Sequence, residues 1–433
     1  MLETLVLTKN LRKLDFGGKF LFDGSVLYGA SFRFCMHSNL LKLYSFSGNR
    51  MGPVLFGNFC DSLSLNQTIR WINVSGNCLG ADGGAHLGRL LATTPRLQYL
   101  DACSNFFGAE GADYLSLQID TNTGLTDLRL SSNRMSAQGS PWLGQILKYL
   151  PNLTALDIAG NDVDEVSSGA IHEAFEGSFT NLTSLKLSQN PFGDKGIQTI
   201  ALGLAGLPLL RSLQLFNCEI TDAGAAVIGA AAASMPNLRA LEVAFNRISD
   251  DGFRLMTECL MVAGARFRLT ELNVSGNVCE DPVTEHLARL LQKGPFLQRL
   301  SLRGNFLTMT GLLRMIELTQ AHENLTHVDL RGNVSKDDAA AQQELDYLSH
   351  ILEQRNCLLQ QEQLESTLNI ADTPLFSAQA LSAIMTPGMT SPATPLQRSG
   401  VGALYMGGHN RVQQSSLPIA VQVRVLAETT PCL

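Results

Sequence analysis

One unit of residues is written about a dozen times along this chain, and its period constrains the fold more tightly than any other feature. Anchors of the pattern L-x-x-L-x-L-x-x-N/C fall at Asn49, Asn77, Asn105, Asn133, Asn161, Asn190, Cys218, Asn246, Asn277, Asn305 and Asn333, after a degenerate first anchor at Lys19. From Lys19 onward the spacings are 30, 28, 28, 28, 28, 29, 28, 28, 31, 28 and 28 residues. A period this strict predicts a solenoid, in which each unit buries its apolar face against its neighbours and the core lengthens with the array. The 433 residues therefore need no division into several globular domains.

Each position in the unit has a physical task. The three Leu-type residues, for example Leu153, Leu156 and Ile158, are predicted to stack inward, each burial contributing about 1.5–3 kcal/mol. The anchor Asn is placed to bond backbone where the chain leaves the strand, so that no buried amide is left unpaired. Two residues on comes an apolar plug, such as Leu79, Phe107, Met135 or Ile248. Glycine recurs six residues after the anchor, at 83, 111, 139, 196, 224, 252 and 311, where a missing side chain would let the helix and a neighbouring turn approach. Ser136, Thr221, Ser249 and Thr308 stand where a helix N-cap is wanted. Apolar residues such as Leu87, Leu90 and Leu91 form the helix's inner stripe, and prolines such as Pro95, Pro208 and Pro236 end helices.

This pattern resembles the ribonuclease-inhibitor-like leucine-rich repeat (LRR) subfamily over about residues 10–335, with Asn or Cys at eleven of twelve anchors. That group includes ribonuclease inhibitor, the sensing domains of NOD-like receptors, Ran GTPase-activating proteins, tropomodulins and several ciliary proteins. The resemblance implies an α/β fold: a leucine-rich-repeat solenoid, or horseshoe, of about 12 strand–helix units with a parallel concave sheet. The expected organisation is a solenoid over residues 1–335, a C-terminal capping or extended helix over 336–369 and a mostly disordered tail over 370–433. Residues 1–9 read as the tail of a preceding helix. The aromatic stretch between Lys19 and Asn49 reads as an improvised cap, or as an early unit of an array whose true cap lies upstream. Leu345, Leu348, Ile351 and Leu352 give the capping helix its stripe, and Arg355 and Glu362 interrupt any coiled-coil seam. The tail is rich in Ser, Thr, Pro, Gly and Ala. It carries proline-directed phosphorylation candidates at Thr386, Ser391 and Thr394, and its alternating Val421, Val423 and Val425 would suit strand addition to a partner.

Composition narrows the function classes. A net charge of -7 and a pI near 5.6 argue against a nucleic-acid partner. No apolar run approaches the roughly 18 residues of a membrane span, and the opening MLETLVLTKN lacks the basic region of a secretory signal. Nine cysteines scattered singly, without C-x-x-C pairs, argue against a disulfide framework and a zinc site. Asn73 and Asn273 head glycosylation sequons but fall inside predicted strands, where a glycan would block stacking. The expectation is a cytoplasmic protein, with a nuclear or a flagellar or cytoskeletal pool also open. Chemistry is sparse: no phosphate-binding G-x-x-x-x-G-K-[ST] occurs, and no Ser or Cys nucleophile has a placed base. In HENLTH (322–327) the histidines are five apart across a helix-to-strand junction, so they cannot share one helical face. No enzyme activity, metal or cofactor is expected.

Specificity must then lie on the strand residues that point away from the core. One column reads Asp101, Arg129, Asp157, Lys186 and, further on, Glu242; with neighbouring strands about 4.8 Å apart, the first four form a ladder of alternating charge. A second column contains Trp71, Tyr99, Asp127, Glu271 and Arg299. Adjacent aromatics are the usual anchors of an interface. Arg299, Arg303, His327 and Arg331 make a basic cluster around Asp329. These residues are the candidate partner-binding set of a non-enzymatic protein–protein interaction scaffold. Two alternatives share the repeat: a structural component of cytoskeleton or flagellum, and a GTPase-activating protein of the Ran-directed type, whose partners would be a cytoskeletal protein and a small GTPase.

Overall fold

A computed structural model describes residues 13–15, 17–18, 42–64, 66–122, 124–135, 142, 146, 149–175, 181–264, 268–294 and 296–369. The expectations for residues 1–9, the aromatic stretch 20–34, Ser136, Gly139 and the tail with Thr386, Ser391, Thr394 and Val421–Val425 lie outside the described residues.

Among the described residues, twelve three-residue strands form one parallel sheet in strictly sequential order. They are β1 (Lys13–Asp15), β2 (Leu43–Ser45), β3 (Trp71–Asn73), β4 (Tyr99–Asp101), β5 (Asp127–Arg129) and β6 (Ala155–Asp157). Then come β7 (Ser184–Lys186), β8 (Ser212–Gln214), β9 (Ala240–Glu242), β10 (Glu271–Asn273), β11 (Arg299–Ser301) and β12 (His327–Asp329). Helices α1 (Gly52–Leu63), α2 (Gly80–Thr93) and α3 (Gly108–Gln118) follow β2, β3 and β4. Helices α4 (Ser168–Phe175), α5 (Gly193–Leu204), α6 (Asp222–Ala233), α7 (Asp250–Val262), α8 (Val283–Lys293) and α9 (Met309–Ala321) follow β6 to β11 in turn. A last helix, α10 (Ala339–Asn369), follows β12. Parallel neighbours need a crossover, and the repeat supplies a helix for it. This is the leucine-rich-repeat solenoid that the period implies.

In most strands only the middle residue is buried, and its two flanks are half-exposed on the face away from the helices. Leu100, Leu128 and Leu185 are wholly buried, as are the plugs Leu79, Met135 and Ile248. Asn77, Asn105, Asn133 and Asn161 each tie three repeats together. Asn105 donates through Nδ2 to the carbonyls of Val74 and Ala102 at 3.0 and 2.9 Å, and its Oδ1 accepts from the Asn77 amide at 2.8 Å. Its own amide donates to Asn133 Oδ1 at 2.7 Å. At Cys218 the ladder weakens: Sγ lies 3.6 Å from the Leu187 carbonyl and 3.5 Å from that of Phe216.

The helix starts correct one expectation. The Thr221 side chain caps nothing; its hydroxyl and amide both donate to Asp194, a residue of the preceding repeat. Asp222 likewise accepts from the Ser249 amide and hydroxyl, both at 2.7 Å, and Asp281 from the Thr308 amide and hydroxyl. Ser249 and Thr308 do also cap, accepting from Asp251 and Thr310 at 3.3 and 3.2 Å. A carboxylate brought across the repeat boundary is a stronger acceptor than a hydroxyl and takes both donors at once.

The compact unit holding the repeats runs on through α10 to Arg355. In it Ala341, Leu348 and Leu352 are buried. Arg355 donates to the carbonyls of Thr319, His322 and Leu325, at the C-terminal end of α9, where orphan carbonyls favour a cation. Residues 356–369, which belong to a second compact unit, are also helical. Among the described residues no helix is long and apolar enough to cross a membrane.

Candidate functional site

Because side chains alternate along a strand, residues flanking the buried Leu share the sheet's solvent face, and parallel register sets them side by side. Trp71, Tyr99 and Asp127 are register partners on β3, β4 and β5. The rings of Trp71 and Tyr99 stack with centroids 4.7 Å apart and planes 7° from parallel. The Arg129 guanidinium carbon sits 4.9 Å from the Tyr99 ring centroid. Indole, phenol and guanidinium thus form a run of flat groups across three strands, each attracting the next through π-stacking or the ring quadrupole.

The charge ladder is not built as the column predicts. Arg129 turns from Asp101 and Asp157 to Asp127 on its own strand, donating from Nε and Nη2 to the two carboxylate oxygens at 3.2 and 3.3 Å. A fork meeting both oxygens while lying on Tyr99 outcompetes single contacts across the ladder. Lys186 does reach Asp157, at 3.9 Å. Asp101 accepts from the Cys103 amide at 3.1 Å and the Tyr99 hydroxyl at 3.5 Å, and has no ion-pair partner among the described residues. Burial, helped by the Asp101 charge, pushes the Tyr99 phenol up to about 12, so it remains a donor at neutral pH. Burial also raises the Asp157 carboxyl.

The basic cluster is largely committed within the molecule. Arg331 grips Asp329 through Nε and Nη2 at 2.9 and 2.7 Å, which holds that carboxyl below the usual range. Arg299 lies 3.7 Å from Glu271. Arg303 and His327 are exposed beside them.

The sheet face over β8–β12, reaching into the basic cluster at Arg299 and His327, holds a cleft of about 320 Å³. Ser212 and Ala240 line it, as do Gln214, Glu242 and Asn273, with Glu271 and Arg299 on its far side. Glu242 Oε1 accepts from Asn273 Nδ2 at 3.3 Å, and burial raises its carboxyl. Phe216 and Phe245, which the charge and aromatic columns pass over, make a tilted pair with centroids 4.9 Å apart; they follow Gln214 and Glu242 by two and three residues and lie outside the residues that line the cleft. One signal was available for them: Phe245 stands directly before the anchor, where glycine recurs at 48, 76, 160, 276, 304 and 332.

Burial pushes the Cys103 and Cys218 thiols up to about 12, which favours their protonated form at neutral pH. Among the described residues no cluster of His, Cys, Asp or Glu could hold a metal ion.

A family model described as leucine-rich repeat matches residues 180–201, 206–229 and 234–254. Tonsoku-like protein of Danio rerio is 28% identical over 246 residues, 48% of this chain, which spans only 17% of that relative's length. Three solved structures are similar at low identity. TLR13, in a complex with ssRNA13, has a TM-score of 0.45 and 21% identity, covering 75% of this chain and 40% of its own. LegL7 from Legionella pneumophila has a TM-score of 0.38 and 19% identity, over 65% of this chain and 91% of that one. Rad7 and Elc1, a yeast complex, gives 0.38 and 15%, over 66% and 75%.

Proposed function

We propose that this leucine-rich-repeat chain is a non-enzymatic scaffold that binds a protein partner on the solvent face of its sheet. The observation that carries this reading is the stack of Trp71, Tyr99 and Arg129, set among Asp101, Asp127 and Asp157. Large aromatic groups with few rotamers, held in place before binding, lose little entropy on contact, and arginine and aromatics are the residue types that anchor interfaces. Nothing in the repeat requires them: the same positions on β6 to β9 are Ala155, Ser184, Ser212 and Ala240. A helix in nearly every unit, together with the dominant 28-residue spacing, supports the ribonuclease-inhibitor-like subtype.

The test is proximity labelling and affinity capture with the full chain and a W71A/Y99A variant. A partner recovered by the native protein is expected to fall at least about tenfold with the double variant, the loss of one hot spot's worth of affinity. It is expected to be unchanged by L202A, which alters an exposed leucine on α5. Equal recovery with W71A/Y99A would remove the stack from the interface.

A further inference from the structure

We infer that the cleft over β8–β12 receives a lysine or arginine side chain from an extended segment of a partner protein, with Glu242 as its counter-charge and Phe216 and Phe245 as the surface for its methylenes. The inference rests on reading the sheet face as protein-binding, and adds a second site with a stated ligand chemistry.

Shape comes first. Ser212 and Ala240 are register partners, and their small side chains leave the cleft open beside Glu242, the next residue on the same face of β9. Five parallel strands span roughly 20 Å, a length that about six extended residues cover. Charge comes second. Glu271 has Arg299 at 3.7 Å and Lys186 reaches Asp157 at 3.9 Å; Lys186 also favours the charged form of Glu242 from a distance, but no described cation lies within ion-pair distance of Glu242. Asn273 supplies it one hydrogen bond, and Asn273 is itself fixed, its Oδ1 accepting from the Ser275 hydroxyl at 2.6 Å. Burial holds the Glu242 carboxyl above its ordinary range, and an arriving cation would reverse that cost.

The aromatic pair is the third observation. Phe245 has φ +55°, and the other anchors are preceded by Gly, Ser, Gln or Asn. A bulky residue in the left-handed region is an outlier, and such strain collects at functional sites. The Phe245 ring lies over Gly276, so close that a Cβ there would be 2.9 Å from it. It remains 57% exposed. Phe216 and Phe245 follow Gln214 and Glu242 by two and three residues, just past the residues that line the cleft, and a long cationic side chain packs its stem on such rings while its head reaches a carboxylate. Arg299 and His327 also line the cleft at its far end, where Glu271 offsets Arg299; at Glu242 an acidic side chain would be repelled and a neutral one would leave the carboxylate without a counter-charge.

The experiment selects phage-displayed random decapeptides on the purified full chain and measures the binding of the resulting synthetic peptides. Selected peptides are expected to share one Lys or Arg. E242Q is expected to weaken them at least tenfold, and replacing that basic residue by norleucine or citrulline should cost as much in the native protein but little more in E242Q. F245G should weaken binding about fivefold while leaving Tm within about 2 °C, because lost ring contacts and relieved backbone strain oppose each other. The inference is overturned if no peptide is selected, if selected peptides show no basic enrichment, or if E242Q binds them undiminished. A synthetic peptide of residues 416–433 binding as tightly as the selected ones would assign the cleft to the chain's own end and equally overturn it. Such failures leave the Trp71–Tyr99 interface standing, whereas undiminished capture by W71A/Y99A removes that interface and not this cleft.

Discussion

At the scale of single residues, the anchor column shows how much one atom type decides. An Asn amide both donates and accepts, so Asn161 takes the Asn133 amide at 3.1 Å and the Met135 amide at 3.3 Å while bonding three carbonyls through Nδ2. The Cys218 thiol offers no such acceptor, and in its neighbourhood the Phe192 amide turns back to the Asn190 carbonyl at 2.8 Å. Cys218→Asn, nearly conserving volume, is therefore expected to stabilise the protein by about 1 kcal/mol, a rise in Tm of roughly 2–4 °C. Chemical denaturation of the two proteins checks it, and a loss of stability would show that the site has no room for the amide. The anchor positions and inward leucines were legible because their spacing alone dictates which side chains meet. The partner of Arg129 was not, since a carboxylate two residues away on its own strand and those on adjoining strands are similarly near. Geometry and the Tyr99 ring decide, and neither is written in a column of letters.

At the scale of elements, the glycine six residues after the anchor and the aspartate of the repeat before are one device. A Cβ on Gly252 would stand 2.3 Å from Asp222 Oδ1, one on Gly224 2.4 Å from Asp194 Oδ1, and one on Gly311 2.1 Å from Asp281 Oδ1. The glycine makes room for the carboxylate that holds the next helix start. Sequence spacing exposed the glycine as a point of close approach, but not its visitor, because the contact links residues some 30 positions apart. Farther toward the N-terminus the same position does meet chain, with Gly111 facing Ala81 Cα at 3.1 Å. Gly252→Ala is expected to cost about 1–3 kcal/mol, and Asp222→Ala about 1 kcal/mol from the lost acceptor. In the double variant the costs should fall short of their sum by at least about 0.5 kcal/mol, measured by a double-mutant cycle. Strict additivity would mean that the helix start does not feel the clash.

For the molecule as a whole, a sheet of twelve parallel strands in sequential order follows from repetition, and so was readable before any coordinate. Stability in such an array is close to a sum of units and the interfaces between them, so no single residue governs it. What the period cannot encode is which exceptions matter, since Trp71, Tyr99, Phe216 and Phe245 are departures from it. One exception also changes how the whole protein can be observed. The chain has two tryptophans, and they occupy opposite environments: Trp142 is 3% exposed in the core, while Trp71 lies half-exposed on the Tyr99 ring. The protein thereby carries an emitter at its proposed contact and an internal standard away from it. Partner docking should shift the Trp71 component of the fluorescence and shield it from iodide quenching, while the W71F variant, reporting only Trp142, stays silent. A titration needing no dye or tag could then follow the first step of recognition in real time.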